Sequence, residues 1–196
     1  GDPDRVPLVS KYFDQIDFKG SKREFVTHTG RIKGKRLTVM STGMGTDNVE
    51  ILMTELDSLV NVDLKTHTVK PIEKSLEILR LGTSAASKEL LQKLPPDFHR
   101  GVTLTAPGFY APQGREIRLK PKMDNMIERL SELDLEGLKM TNFEMETAGY
   151  YAMGQLLNHR MLSLNAIVAN RPSGEFDKEA EKTVDRMIRA ALESYC

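Results

Sequence analysis

Hydrophobic positions change period several times along the chain, and each change predicts an element. Phe25–Thr29 and Arg36–Thr42 read as strands joined by a turn at Lys33-Gly34-Lys35. From Asp47 to Val60 the apolar residues Val49, Leu52, Met53, Leu56, Leu59 and Val60 fall at helical spacing, with Asp47 as the N-cap. Val60, Val62 and Leu64 then alternate with polar neighbours, which predicts a short extended segment. Leu76–Gly82 is compact and mostly apolar, the pattern of a buried strand that enters a Gly-Thr-Ser loop. Ser87–Leu94 reads as a short amphipathic helix stopped by Pro95 and Pro96, since proline removes a donor and disfavours helix before it.

Gly101–Ala106 alternates as a strand up to Pro107-Gly108, and Met123, Met126, Ile127, Leu130 and Leu133 mark a helix. Glu144–Leu157 reads as helical, with Ala148, Tyr151, Ala152 and Leu156 on one side. Met161–Ala169 is apolar enough for a strand covered on both faces. Asp177–Tyr195 closes the chain as an amphipathic helix. The alternation predicts one α/β domain over residues 1–196, with a central mixed sheet flanked by helices.

Composition narrows the classes. Of 196 residues, 39% are hydrophobic and 29% charged, which suits a folded core. Lys+Arg and Asp+Glu stand at 28 each, so the net charge is +0 and the basic excess of a nucleic-acid or membrane-surface binder is absent. The run Lys19, Lys22, Arg23, Arg31, Lys33, Lys35 and Arg36 is basic, yet without interleaved aromatics it reads as a solvated hairpin edge. His28, His67, His99 and His159 show no ligand spacing, and one cysteine cannot build a zinc site, so no metal is expected. The same lone Cys196 allows no internal disulfide and predicts a reducing compartment, the cytoplasm. The chain opens Gly1-Asp2-Pro3-Asp4-Arg5 with neither an apolar leader nor an initiator Met, and a longer gene product is expected.

Chemistry collects at four loops beyond strand ends, where α/β folds place ligands. Gly1 to Arg5 is a Gly-led turn that ends in Arg, as apt for a surface helix start as for an anion. Ser41-Thr42-Gly43-Met44-Gly45 sets two glycines before a helix, a common steric turn that also exposes N–H groups to an anion. Arg80 ends an apolar strand beside Gly82-Thr83-Ser84 and needs either a phosphate or a carboxylate partner. Asn142-Phe143-Glu144-Met145-Glu146 places two carboxylates at a helix start, where they serve either a ligand or the helix dipole. No Gly-X-Ser-X-Gly elbow or Walker loop occurs.

Six motifs in order, GDPDR, Arg23-Glu24-Phe25, STGMG, LRLGTS, Phe109 to Arg115 (FYAPQGR) and NFEMET, resemble the nucleoside phosphorylase family over nearly the whole chain. The resemblance is greatest to its uridine-cleaving branch, because Gln113 and Arg115 match that branch's uracil-reading pair. Asn170-Arg171 follows the late strand where purine-cleaving relatives carry an Asp. The resemblance implies the three-layer phosphorylase fold and phosphate-dependent cleavage of uridine, with inorganic phosphate as co-substrate and no other cofactor. A purine phosphorylase or nucleosidase, or a non-catalytic nucleoside binder on this scaffold, are the alternatives.

By the same resemblance, Gly1, Arg5, Arg23, Arg80 and Thr83 surround phosphate, with Arg23 reaching a neighbouring subunit's site. Phe109, Gln113, Arg115, Glu144, Met145, Glu146 and Arg171 take the nucleoside, and Arg80, Glu146 and Arg115 carry catalysis. A homo-oligomer built from dimers with shared sites, dimer or hexamer, is implied. The family also carries a strand before GDPDR and a long stretch after its Gly-Thr-Ser motif. Here Gly82 to Ala86 runs straight into the helix at Ser87, so pieces before Gly1 and after Ala86 are expected to be missing from this sequence.

Overall fold

The computed structural model describes residues 1–82, 95–96, 98–135 and 137–196. The Ser87–Leu94 helix, Thr83 and the Ala86–Ser87 junction lie outside the described residues.

The chain begins with helix α1, Arg5–Ser10, followed by a meander of β1 (Gln15–Lys22), β2 (Phe25–Ile32) and β3 (Lys35–Met40), paired antiparallel in that order. Lys33 and Gly34 between β2 and β3 both have positive φ, 48° and 80°, as a tight two-residue hairpin turn requires. The α1 and β1 elements escape the sequence reading. Strand β1 is exposed along most of its length, so burial imposes no apolar alternation on it.

Helix α2, Thr46–Asn61, starts one residue before the expected Asp47. Its N-cap is Gly45, with φ 90° and ψ 162°, and Asp47 sits in the first turn, where a carboxylate favours the helix dipole. A small hairpin of β4 (Val62–Asp63) and β5 (Thr68–Val69) leads to β6, Glu77–Gly82. Further along come β7 (Val102–Thr105), a 3-10 turn at Ala111–Gln113, and α3 (Met126–Ser131). The helix expected around Met123 to Leu133 shrinks to α3, which buries no residue. Next are β8 (Asp134–Leu135), β9 (Leu138–Glu144), α4 (Thr147–Leu156), β10 (Arg160–Asn165), β11 (Ala169–Asn170), β12 (Glu175–Phe176) and α5 (Ala180–Tyr195).

Two corrections bear on the site. Residues 138–144 form a strand, so Glu144 ends β9 rather than beginning a helix, and α4 starts at Thr147. The late strand stops at Asn165 instead of reaching Ala169, and Ile167 and Val168 are exposed.

The centre of the α/β arrangement is two parallel pairings. Strand β10 pairs with β6, with Ser163 opposite Arg80 and Asn165 opposite Gly82, while β9 lies between β7 and β8 with Glu144 opposite Thr105. Helices cover them. Helix α5 packs Met187, Ala191 and Tyr195 on Leu162 and Leu164 of β10, and α2 packs Val49, Leu52 and Met53 against Tyr150 of α4 and Met161. Burial of this kind is worth about 1.5–3 kcal/mol per large apolar side chain. Both parallel pairs therefore end on the same side with Arg80 and Glu144 near their carboxyl ends, held by packed layers.

Among the described residues, strands β3 and β6 each pair on one side, with β2 and with β10. Between them lies a slot of about 870 Å³, roofed by Leu52 and Leu56 of α2 and bordered by Ala191 and Tyr195 of α5. Gly1, Asp2, Thr42 and Arg80 also line it. Among the described residues no helix is long and apolar enough to cross a membrane.

Candidate active site

Arg80 and Glu146 meet at the heart of the site. The Arg80 guanidinium donates through one nitrogen, Nη2, to Glu146 Oε2 at 2.7 Å and lies 3.0 Å from Glu144 Oε2. Its Nη1 donates to Ser163 Oγ at 3.2 Å. The three ionised side chains are 13%, 10% and 3% exposed for Arg80, Glu146 and Glu144, so the cation is compensated by two carboxylates in a desolvated setting. The carboxylate partner weighed from sequence is thus present. It belongs to the same side-chain set that the resemblance assigns to substrate.

Backbone groups complete the arrangement. Gly45 donates its N–H to Glu146 Oε1 at 2.8 Å, which ties the STGMG loop to the start of α4. Glu144 Oε2 accepts the N–H groups of Glu146 and Thr147, both at 2.7 Å, and so caps the helix N-terminus from two residues upstream. Thr105 Oγ1 donates to Glu144 Oε1. A Cβ on Gly82 would lie 2.5 Å from Arg80 Nη1, so this strand end needs glycine for the guanidinium to fold back over it.

The N-terminal turn joins the same corner. The Gly1 nitrogen donates to Thr42 Oγ1 at 3.3 Å, and Arg5 Nη1 donates to the carbonyl of Leu81 at 3.1 Å. Buried Tyr150 lies beside Thr42, Arg80 and Glu146, and burial pushes its phenol above the usual value. The sequence names Thr42 only as part of its loop and gives no sign of Tyr150. The Gly-X-Gly loop pointed to the first, while Tyr150 sits in a helix pattern with nothing to distinguish it from core.

A second cluster lies beyond β7. Arg115 stacks on Phe109 with its guanidinium carbon 3.9 Å from the ring centre, and Nη1 donates to Gln113 Oε1 at 2.6 Å and to the Phe109 carbonyl at 2.5 Å. Gln113 is buried, and its Nε2 reaches the Ala106 carbonyl at 3.4 Å. Arg171 donates to the Gln113 carbonyl and sits 5.3 Å from the Phe143 ring centre. Burial lowers the Arg115 guanidinium from its usual value, and burial followed by the charge of Arg115 does the same to Arg171. Phe109 remains half exposed, an aromatic face open to a planar ligand.

The ends of β7 and β9 bridge the clusters. Ala106 donates its N–H to the Glu144 carbonyl at 2.8 Å, and Phe143 next to Glu144 carries Arg171 over its ring. Met145, half-buried, stands between the two glutamates. The structure thus brings Gly1, Arg5, Arg80, Glu144, Met145 and Glu146 to one corner and Phe109, Gln113, Arg115 and Arg171 to the adjoining one. Arg23 stands apart, exposed at the β1–β2 turn with φ 56°, and Thr83 lies outside the described residues. Among the described residues no three His, Cys, Asp or Glu side chains gather as a metal site would need.

Chemically, the first corner offers a cation near a carboxylate that can hold hydroxyls. The second offers an aromatic ring with a guanidinium stacked over it and an amide hydrogen-bonded to that guanidinium. Known proteins similar to this chain are nucleoside phosphorylases. A uridine phosphorylase of Thermococcus kodakarensis is 31% identical over 93% of this chain and 75% of its own length. One from Haemophilus influenzae is 26% identical, over 97% and 89%. A DeoD-type purine nucleoside phosphorylase of a Thermoanaerobacter species is 24% identical over 98% and 91%. Among solved structures, a Trypanosoma brucei nucleoside phosphorylase superposes with a TM-score of 0.76 at 23% identity, covering 99% of this chain and 91% of that one. The model of the phosphorylase superfamily matches residues 1–66 and 71–194, and the chain belongs to that superfamily.

Proposed function

We infer that the chain cleaves uridine by phosphorolysis, giving uracil and ribose 1-phosphate, as a pentosyltransferase in nucleoside breakdown. The carrying observation is the hydrogen-bonded Gln113–Arg115 pair, with Arg115 stacked on Phe109, beside the corner where Arg80 meets Glu146. A pyrimidine presents carbonyls and a ring N–H at one edge, and an amide with a guanidinium matches that edge.

In the reaction the N1–C1′ bond breaks with its electron pair going to uracil, and a phosphate oxygen forms the new bond to C1′. Arg115 and Gln113 stabilise the departing uracil anion by hydrogen bonds. Arg80, with Arg5, holds phosphate under the ribose, so attack is a positioned, effectively unimolecular step. Glu146 accepts hydrogen bonds from the ribose hydroxyls and acts by positioning. The exchange of a C–N for a C–O bond needs no redox partner, and inorganic phosphate is proposed as the sole co-substrate.

Several finer assignments share this reading. Arg23, exposed at its hairpin tip, suits a contact with phosphate in a neighbouring subunit of a homo-oligomer, dimer or hexamer. Cytoplasmic placement accords with a single cysteine and small soluble substrates. A strand preceding Gly1 is proposed to seat in the slot between β3 and β6, because among the described residues both flanking edges are unpaired there and Gly1 lines the slot.

A substrate panel tests the base assignment. Uridine is expected to turn over and inosine not. Turnover of inosine alone would transfer the reading to the purine phosphorylases, the other named relatives of this chain.

A further inference from the structure

Strand β7 runs from Val102 to Thr105 and leads directly into the loop that carries Phe109 and Gln113. Its last residue faces Glu144 across the parallel pairing with β9. The Thr105 hydroxyl accepts the N–H of Ala148 at 2.9 Å in the first turn of α4. With a lone pair so occupied, its proton goes to Glu144 Oε1.

Glu144 is otherwise spent. Its second oxygen accepts the N–H groups of Glu146 and Thr147 and lies 3.0 Å from Arg80 Nη2, and the side chain is 3% exposed. A carboxylate this buried, with both oxygens already engaged, is poorly placed to take ribose as well. It is well placed to orient what does: Arg80 on one side and the peptide of Glu146 on the other. A carboxylate free to turn about its terminal torsion would lose that aim, because such torsions are broad. The Thr105 hydroxyl fixes it.

We propose that Thr105 is a positioning residue for the phosphate site: its hydroxyl locks the Glu144 carboxylate, which sets Arg80 and the start of α4 that carries Glu146. The proposal rests on the phosphorolysis reading. It moves Glu144 from a nucleoside ligand to the clamp behind the ligands. Among the described residues the Thr105 hydroxyl bonds to Glu144 and Ala148, whereas Gln113 is held by the main-chain carbonyl of Ala106, which removal of that hydroxyl leaves in place.

The test uses the 196-residue chain and three variants, Thr105→Val, which keeps shape and removes the hydroxyl, Thr105→Ser, which keeps the hydroxyl, and Thr105→Ala as a smaller fallback should Val disturb folding. Calorimetric titration with inorganic phosphate and, separately, with uracil gives binding, and uridine turnover gives kinetics. Thr105→Val or Thr105→Ala is expected to weaken phosphate binding and raise the KM for phosphate by about tenfold or more, the scale of one hydrogen bond to a charged group. Uracil binding is expected to stay as in the parent chain, and Thr105→Ser to restore phosphate binding. Unchanged phosphate binding without the hydroxyl overturns the proposal. So does a parallel loss of uracil binding, or failure of Ser to restore, since either marks a packing role. If the parent chain binds phosphate but leaves uridine intact, the functional reading fails, and the phosphate titrations still decide the role of Thr105.

Discussion

Arg80 faces two carboxylates at once, and this decides what its removal does. Taking the guanidinium away leaves Glu144 and Glu146, 3% and 10% exposed, facing each other without a cation. Breaking a buried pair by deleting one partner costs about 3–5 kcal/mol. Arg80→Ala is therefore expected to lose stability on that scale in chemical denaturation and to lose saturation by phosphate. Arg80→Lys keeps the charge but lacks the fork that reaches Glu146 and Ser163 together, and should fall between. An Arg80→Ala variant with parent stability and normal phosphate saturation would remove Arg80 from both roles. At this scale the sequence was informative where a residue type is costly without a partner, as with Arg in an apolar strand. It was silent where the type is ordinary: Thr105 ends a strand like many threonines, and only the pairing of β7 with β9 puts it on Glu144.

At the scale of elements, the sequence reading followed burial. Strands β2 and β3, helix α2, strands β6, β7 and β10 and helix α5 have apolar positions that packing demands, and their patterns were legible. Strand β1 faces solvent, and β9 carries polar residues at Lys139, Thr141 and Asn142, so neither shows a period. Missing β9 misplaced Glu144 at a helix start, although the motif around it marked the right chemistry. Helix packing also sets a measurable titration. Burial pushes the phenols of Tyr151 and Tyr195 up to about 12 from 10.0, and that of Tyr150 in the same direction. The folded chain then keeps protons that the unfolded chain releases near 10.0. Stability linked to these groups is complete below that pH and is lost as pH rises toward about 12. Phenolate absorbance of the folded chain is expected to lag that of the denatured chain over this window. Coincident titration curves would contradict the burial of α4 and α5 described above.

For the whole molecule, the slot between β3 and β6 is the feature that packing leaves open. An unpaired strand edge exposes backbone groups to solvent or to another strand. Amides of β3 and β6 that do not pair with β2 and β10 are expected to exchange hydrogen far faster than those shared by β6 and β10. They should become protected in a chain that carries the proposed strand ahead of Gly1. Equal protection of both sets in the 196-residue chain, or no gain on extension, would refute a strand seat there. The resemblance supplied the expectation of such a strand, and the periodicity of residues 1–196 could not, because the signal lies in what two edges leave unpaired.

Phosphorolysis exchanges one C–N bond for one C–O bond, and phosphorus NMR of the chain incubated with uridine and inorganic phosphate follows that exchange directly. A ribose 1-phosphate resonance is expected to grow in step with free uracil, with no uridine cleavage when phosphate is withheld. Uracil released without phosphate, with free ribose as its partner, would contradict it.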